Sequence, residues 1–320
     1  MTQLTPGKWR GLTTTSSPAH KFTMLAFDQR GNYVSMLPPE TPFAEAAGIK
    51  REVIAALAPH ATAVLLDPVY GLDAALALPG SSGLLMALEK TGYAGVATAR
   101  RVDFIPGWDV GKIKRMGAAA VKLLVYYHPD GGEAAADIES TVALIATQCQ
   151  AHDIPLFVEP LAYSLNPDVP TASAEFSVER PRIVLETARR LSGLGAGVLK
   201  LEFPVDSYST LPEPEWQAAC AAISEVCAVP WVLLSAGIDF EQFERQVRAA
   251  CQGGASGVLA GRAIWKESIA RTTEERAEFL TQVGQNRLER LAAIVETHAR
   301  PWTDFYTPIT NREEWYTDYL

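Results

Sequence analysis

Short apolar runs rich in β-branched residues recur along the chain and alternate with Ala-rich stretches of helical spacing. The runs lie at 23–27, 63–66, 95–99, 119–126, 155–158, 197–203, 230–234 and 257–259. Runs of that length bounded by polar or turn-forming residues predict strands. Amphipathic segments such as 43–57 and 138–151 lie between most of them and predict covering helices. Strands alternating with helices pair in parallel, because a parallel crossover needs a covering element. Eight such units at 23–299 close into a (β/α)₈ TIM barrel of the α/β class, with an open doubly wound sheet as the alternative.

Residues 1–22 are an N-terminal extension expected to cap the barrel bottom or run along its side. Residues 300–320 are an aromatic-rich tail carrying Trp302, Phe305, Tyr306, Trp315, Tyr316 and Tyr319. That density suits packing on the barrel or on a neighbouring subunit, so a homo-oligomer is one expectation. The long loop at 163–177 contains Pro167 and Pro170 and is a candidate lid.

Polar residues gather at the C-terminal ends of the runs: Asp28, Asp67, Glu159, Lys200, Ser235 and Gly261. Active sites of α/β barrels are built at that end. Lys200 stands in Gly197-Val198-Leu199-Lys200-Leu201-Glu202-Phe203. Strand alternation puts Lys200 and Glu202 on one face, pointing inward, with Leu199, Leu201 and Phe203 facing the helices. A desolvated lysine loses basicity and becomes a nucleophilic amine, whereas the plainer role is a structural ion pair. Lys122, in Ala120-Val121-Lys122-Leu123-Leu124, repeats the pattern. Mutual repulsion of two internal lysines is expected to depress a pKa further; one would be the nucleophile, and residue physics does not rank them. Glu159, read as the end of strand five, is placed to shuttle protons or to neutralise the lysines. Asp28 ends strand one and could hold or deprotonate a substrate hydroxyl. Asp67 is a weaker candidate that equally suits a turn cap.

The turns Ser235-Ala236-Gly237 and Gly261-Arg262 follow strands seven and eight. Small residues let backbone N–H groups approach a phosphate, and Arg262 adds a charged contact. Gln29 and Arg30, beside Asp28, join these as candidate substrate-binding residues. Gly193-Leu194-Gly195-Ala196-Gly197 precedes a strand instead of following one, so it reads as a helix stop, not a dinucleotide fingerprint. The five histidines lack metal-ligand spacing, and no metal or other cofactor is expected; His128 alone falls near a strand end.

Composition narrows the classes. Hydrophobic residues at 48% and charged residues at 20% are ordinary for a globular protein, and the net charge of −9 disfavours nucleic acid as a partner. An anionic small molecule, a sugar phosphate, remains compatible, because it needs only local donors. Four unpatterned cysteines, no signal-like start and no long apolar stretch suggest a cytoplasmic protein without membrane attachment.

Taken in order, Leu25-Ala26-Phe27-Asp28-Gln29-Arg30-Gly31, Val121-Lys122-Leu123-Leu124-Val125-Tyr126-Tyr127, Phe157-Val158-Glu159-Pro160, Val198-Leu199-Lys200-Leu201-Glu202, Leu234-Ser235-Ala236-Gly237 and Ala260-Gly261-Arg262-Ala263-Ile264-Trp265 resemble the class I tagatose-1,6-bisphosphate aldolases of the lactose pathway and the related sulfofructose-phosphate aldolases. The likeness runs from about 22 to 270. It implies a metal-independent aldehyde-lyase that cleaves a phosphorylated ketose, D-tagatose 1,6-bisphosphate first, to dihydroxyacetone phosphate and glyceraldehyde 3-phosphate. The resemblance puts the Schiff-base lysine on Lys200, a second active-site lysine on Lys122, the acid/base glutamate on Glu159 and the first-strand aspartate on Asp28. Rival readings are a 6-deoxy-6-sulfofructose-1-phosphate aldolase, a phosphosugar isomerase or epimerase, and a non-catalytic sugar-phosphate-binding barrel. Neither of the last two needs a pair of internal lysines.

Overall fold

The computed structural model describes residues 1–205 and 212–319. Eight parallel strands close into a barrel in chain order: β1 Phe22–Ala26, β2 Ala63–Leu66, β3 Gly83–Ala87, β4 Ala120–Tyr127, β5 Leu156–Ala162, β6 Val198–Leu201, β7 Trp231–Leu234 and β8 Gly257–Ala260. Each consists largely of Val, Leu, Ala and aromatic residues and is buried on both faces, as a helix-covered parallel sheet requires. The covering helices include Phe43–Leu57 (α1), Glu133–Ala151 (α2), Ala174–Leu191 (α3), Glu213–Val226 (α4), Phe240–Gln252 (α5) and Gln285–His298 (α6).

Two strand expectations need correction. The third barrel strand is Gly83–Ala87, not 95–99. The 95–99 stretch falls in an antiparallel hairpin of Ala94–Val96 and Ala99–Arg101, with the Ala94–Val96 strand exposed. Its β-branched residues give strand propensity, but the strand stays exposed, and propensity alone does not bury it. Strand five continues to Ala162, so Glu159 sits inside it and not at its end.

Inside the barrel Phe22 and Phe157 meet edge to face with centroids 5.9 Å apart. Alternation along β5 then places Glu159 on the same inner face, one layer nearer the mouth. An apolar plug therefore underlies the polar layer and denies it water from below.

The two ends of the chain close the barrel bottom. A helix at Pro6–Thr15 lies so close that a β-carbon on Gly11 would stand 2.4 Å from the Ala119 carbonyl oxygen. Strand Thr2–Leu4 pairs in parallel with Tyr306–Pro308. Trp302 is fully buried against Trp9, centroids 4.7 Å apart, and Nε1 of Trp302 donates to Ser16 Oγ. The aromatic tail thus packs on its own barrel as far as described; Leu320 lies outside the described residues. No helix among the described residues is long and apolar enough to cross a membrane.

Candidate active site

Inward polar side chains of β4, β5 and β6, with Asp28 just past β1, meet at the barrel mouth. Lys122 pairs across β4–β5 with Phe157, and Lys200 pairs across β6–β7 with Val232. The Lys122 ammonium lies 2.7 Å from Asp28 Oδ2, 2.9 Å from Glu89 Oε1 and 2.9 Å from Glu159 Oε2. The Lys200 ammonium lies 2.9 Å from Glu159 Oε2, so one carboxylate bridges both lysines. All of these side chains are nearly excluded from solvent.

Charge differs between the two lysines' surroundings. Burial favours the neutral amine of Lys122, but the charges of Asp28, Glu159 and Glu89 outweigh it and hold its pKa well above the lysine range. Repulsion from its lysine neighbour does not depress Lys122, because three anions surround it. Burial likewise opposes ionisation of Asp28, yet Lys122 and Lys200 together push its pKa far below the carboxylate range. Asp28 keeps one oxygen, Oδ1, buried and without a hydrogen-bond partner among the described residues. Glu202 follows Lys200 on the inner face, and burial raises its pKa, partly opposed by the Arg180 charge. Its carboxylate accepts from the Ala162 N–H at 2.7 Å and faces Arg180 at 3.3 Å.

Glu89 escaped sequence reasoning. It follows β3, accepts from the Leu124 N–H through Oε2, and pairs with Lys122 through Oε1. The visible signal was Leu84-Leu85-Met86-Ala87-Leu88-Glu89, an apolar run ending in a carboxylate like the others. Assigning strand three to 95–99 concealed it. Arg30 is committed to Glu89, donating to its backbone carbonyl at 2.8 Å and lying 3.5 Å from its carboxylate, while its buried Nε has no hydrogen-bond partner among the described residues.

Ser235 and the two turns meet beside this cluster. The Gly261 N–H donates to Ser235 Oγ at 3.1 Å, joining the ends of β7 and β8. Ala236 and Gly237 take left-handed conformations at φ 47° and 79°. The left-handed φ of Gly237 favours glycine, and a β-carbon there would stand 3.0 Å from Arg262 Cζ and press on that side chain. Consecutive N–H groups in such a turn form an anion-binding concavity.

A cavity of about 210 Å³ runs from Lys200 and Glu159 to Ser235, Gly261 and Arg262. A neighbouring cavity of about 150 Å³ is lined by Asp28, Arg30, Glu89, Lys90, Lys122 and Tyr126. Gln29, Glu159, Leu161 and Arg262 line both, so they are two arms of one cleft. Gln29 Oε1 is buried there without a hydrogen-bond partner among the described residues.

Asp67 and His128 stand apart from the cluster. Asp67 accepts from the N–H groups of Val69 and Tyr70, the turn-cap role, and pairs with buried Lys50. His128 Nδ1 accepts from the Asp130 N–H, and burial lowers the imidazole's pKa. Helix α3 starts at Ala174, so the candidate lid is shorter than expected, and Arg180 on that helix holds it through the Thr171 carbonyl at 2.8 Å.

Residues 22–267 match the DeoC/LacD family aldolase. The chain is 34% identical over 325 residues to tagatose 1,6-diphosphate aldolase 2 of Streptococcus mutans serotype c, covering 94% of this chain and 98% of that protein. It is 33% identical over 324 residues to the tagatose 1,6-diphosphate aldolase of Lactococcus lactis subsp. lactis, covering 94% and 99%. Two solved structures share the fold. An archaeal fructose 1,6-bisphosphate aldolase superposes with TM-score 0.59 at 19% identity, covering 90% of this chain and 98% of that one. The Plasmodium falciparum fructose-bisphosphate aldolase does so with TM-score 0.67 at 14% identity, covering 93% and 98%. Since the match spans the barrel from β1 past β8, the chain belongs to the DeoC/LacD family of aldolases.

Proposed function

We propose that this aldolase is class I and metal-independent, and that it cleaves D-tagatose 1,6-bisphosphate through an imine on Lys200. The observation that carries the reading is the unequal setting of the two lysines. Three carboxylates hold Lys122 protonated, whereas among the described residues the Lys200 side chain pairs directly with one, Glu159, and lines the larger arm of the cleft. A protonated ammonium has no lone pair to attack a carbonyl.

Lys200 Nζ attacks the C2 carbonyl of the open-chain ketose. Glu159 gives a proton to the departing carbinolamine hydroxyl, water leaves, and an iminium forms. The iminium draws the C3–C4 bonding electrons into an enamine as the C4 hydroxyl loses its proton to Glu159, and glyceraldehyde 3-phosphate departs. A proton returned to C3 and hydrolysis of the imine release dihydroxyacetone phosphate and restore the amine. Asp28, whose depressed pKa makes it a weak base, suits holding the C4 hydroxyl with its free Oδ1. Lys122 steadies substrate oxygens. The Ser235–Gly237 turn, Gly261 and Arg262 bind the C1 phosphate, with Gln29 beside them and Arg30 in the second arm of the cleft.

Tagatose bisphosphate comes first among candidate ketoses because the two relatives above carry that name. A free sugar bisphosphate and four buried, unpaired thiols suit the cytoplasm. The test is a coupled cleavage assay in excess chelator with tagatose, fructose and sulfofructose phosphates supplied separately. The reading expects undiminished turnover with chelator and the highest kcat/KM for tagatose 1,6-bisphosphate. Loss of activity with chelator would overturn metal independence, and preference for another ketose would reassign the substrate.

A further inference from the structure

Lys50 is a fully buried cation that the chemistry above does not use. It stands on the apolar face of α1 among Ala46, Ile49, Val53 and Ile54, where an aliphatic residue would satisfy the packing. Its ammonium instead makes three polar contacts behind the barrel wall. It donates to the Phe27 carbonyl at 2.7 Å, to the Gln29 carbonyl at 3.0 Å and to the Asp67 carboxylate. It also sits over the Phe27 ring, 4.5 Å from the centroid.

Those two carbonyls flank Asp28. The strand ladder gives out at this point: Phe27 N–H still donates to the Leu65 carbonyl, but β1 ends at Ala26. Past the last strand residue a chain has no partner strand to fix its peptide planes, and a side chain on it swings with them. Here the planes are pinned from outside. Trp265 Nε1 donates to the Ala26 carbonyl at 2.9 Å and its ring stacks on Phe27 at 3.9 Å. Lys50 takes the carbonyls of Phe27 and Gln29, one on each side of Asp28. Asp67 ties the same ammonium to the turn after β2, because its other oxygen accepts from Val69 and Tyr70.

We propose that Lys50, backed by Asp67, is a positioning residue that aims the Asp28 carboxylate at the bond being cleaved by holding the carbonyls on either side of it. The proposal rests on the imine reading above, in which Asp28 holds the C4 hydroxyl. A buried ion pair is a poor source of stability in itself, and neutral replacements of similar volume are commonly tolerated when both charges are removed together. That separates positioning from mere support.

The test uses Lys50→Met/Asp67→Asn, which leaves no unpaired buried charge, and Asp67→Asn alone, which keeps the N–H acceptor but weakens the hold on Lys50. Imine formation is read by borohydride trapping with dihydroxyacetone phosphate, which lacks the C4 hydroxyl. Cleavage is read as kcat for the ketose bisphosphate. The expected result is trapping within about twofold of wild type and kcat down roughly 10- to 100-fold in the double variant, since a misplacement of about 1 Å can cost that much. Asp67→Asn should show the same split at smaller size, and it carries the test should the double variant not fold. A folded double variant with wild-type kcat, or Asp67→Asn with a lowered unfolding midpoint and unchanged kcat, would make the pair merely structural. A parallel fall in trapping and cleavage would equally overturn the proposal. If wild-type protein itself gave no adduct, the imine reading would fail and take this proposal with it.

Discussion

Two aspartates at opposite ends of the barrel show how this chain separates building from acting. At the bottom, Asp153 accepts from the Thr5 hydroxyl, the Gly7 N–H at 2.6 Å, the Lys8 N–H at 3.2 Å and the Tyr319 hydroxyl. It fastens both termini to the loop before β5. At the mouth, Asp28 is equally buried, but among the described residues its Oδ1 has no hydrogen-bond partner, and neither have Gln29 Oε1 and Arg30 Nε beside it. Leaving a buried polar atom unsatisfied costs about 1–3 kcal/mol, so three in successive residues mark a place where a ligand supplies the partners. Asp153 spends its oxygens on the fold, and Asp28 keeps one of its own turned to the cleft.

That contrast breaks most sharply at Lys200. Lys200→Met keeps the volume and removes the proposed nucleophile, so turnover should fall by about 10⁴-fold or more while the thermal midpoint stays near wild type. Glu159→Gln comes next: loss of the bridging acid/base should lower kcat by roughly 10²- to 10⁴-fold. Lys122→Met strips three carboxylates of their shared cation, so it should reduce both activity and stability, by at least about 3 kcal/mol in unfolding free energy. At the turn after β7, Gly237→Ala meets Arg262 and should raise KM for phosphorylated substrate more than it lowers kcat. The smallest effect on activity should come at the other end. Asp153→Ala should leave kcat within about twofold yet destabilise the protein by roughly 2 kcal/mol, since several hydrogen bonds are lost.

Acid should separate the two ends less than mutation does. Burial works against ionisation of Asp153, but its hydroxyl and N–H donors outweigh it and lower the pKa. A carboxyl with a depressed folded pKa stabilises fully above its unfolded value of about 4 and loses that contribution as pH falls through the folded value. Asp28 follows the same sign. Unfolding midpoints measured downward from neutral pH should therefore hold until about pH 4, then fall, and Asp153→Asn should flatten that fall.

Much of this architecture is written in the chain's periodicity. Seven strands fall where apolar runs end in polar residues, because burial on both faces and a polar mouth leave the same mark each time. The third did not, since Gly83–Ala87 lacks β-branched residues while the exposed 95–99 stretch carries Val96 and Thr98. Glu89 was lost with it. Lys200, Glu159, Lys122 and Asp28 were legible singly as charges in apolar strands. Their unequal roles were not, because the three anions around Lys122 come from separate stretches of chain and meet only when the barrel closes. Lys50 was invisible for a related reason. A lysine in an amphipathic helix reads as a solvated face, and only the turn it reaches reveals its work.

The central claim is covalent chemistry at Lys200, and borohydride trapping tests it most directly. The protein is incubated with dihydroxyacetone phosphate, reduced, and read by intact mass and peptide mapping. The account predicts one reduced adduct per chain, on Lys200, absent from Lys200→Met. No adduct on any lysine, with binding of the ligand shown independently, would contradict imine catalysis; an adduct on Lys122 would contradict the reading of three carboxylates as the lock on that lysine.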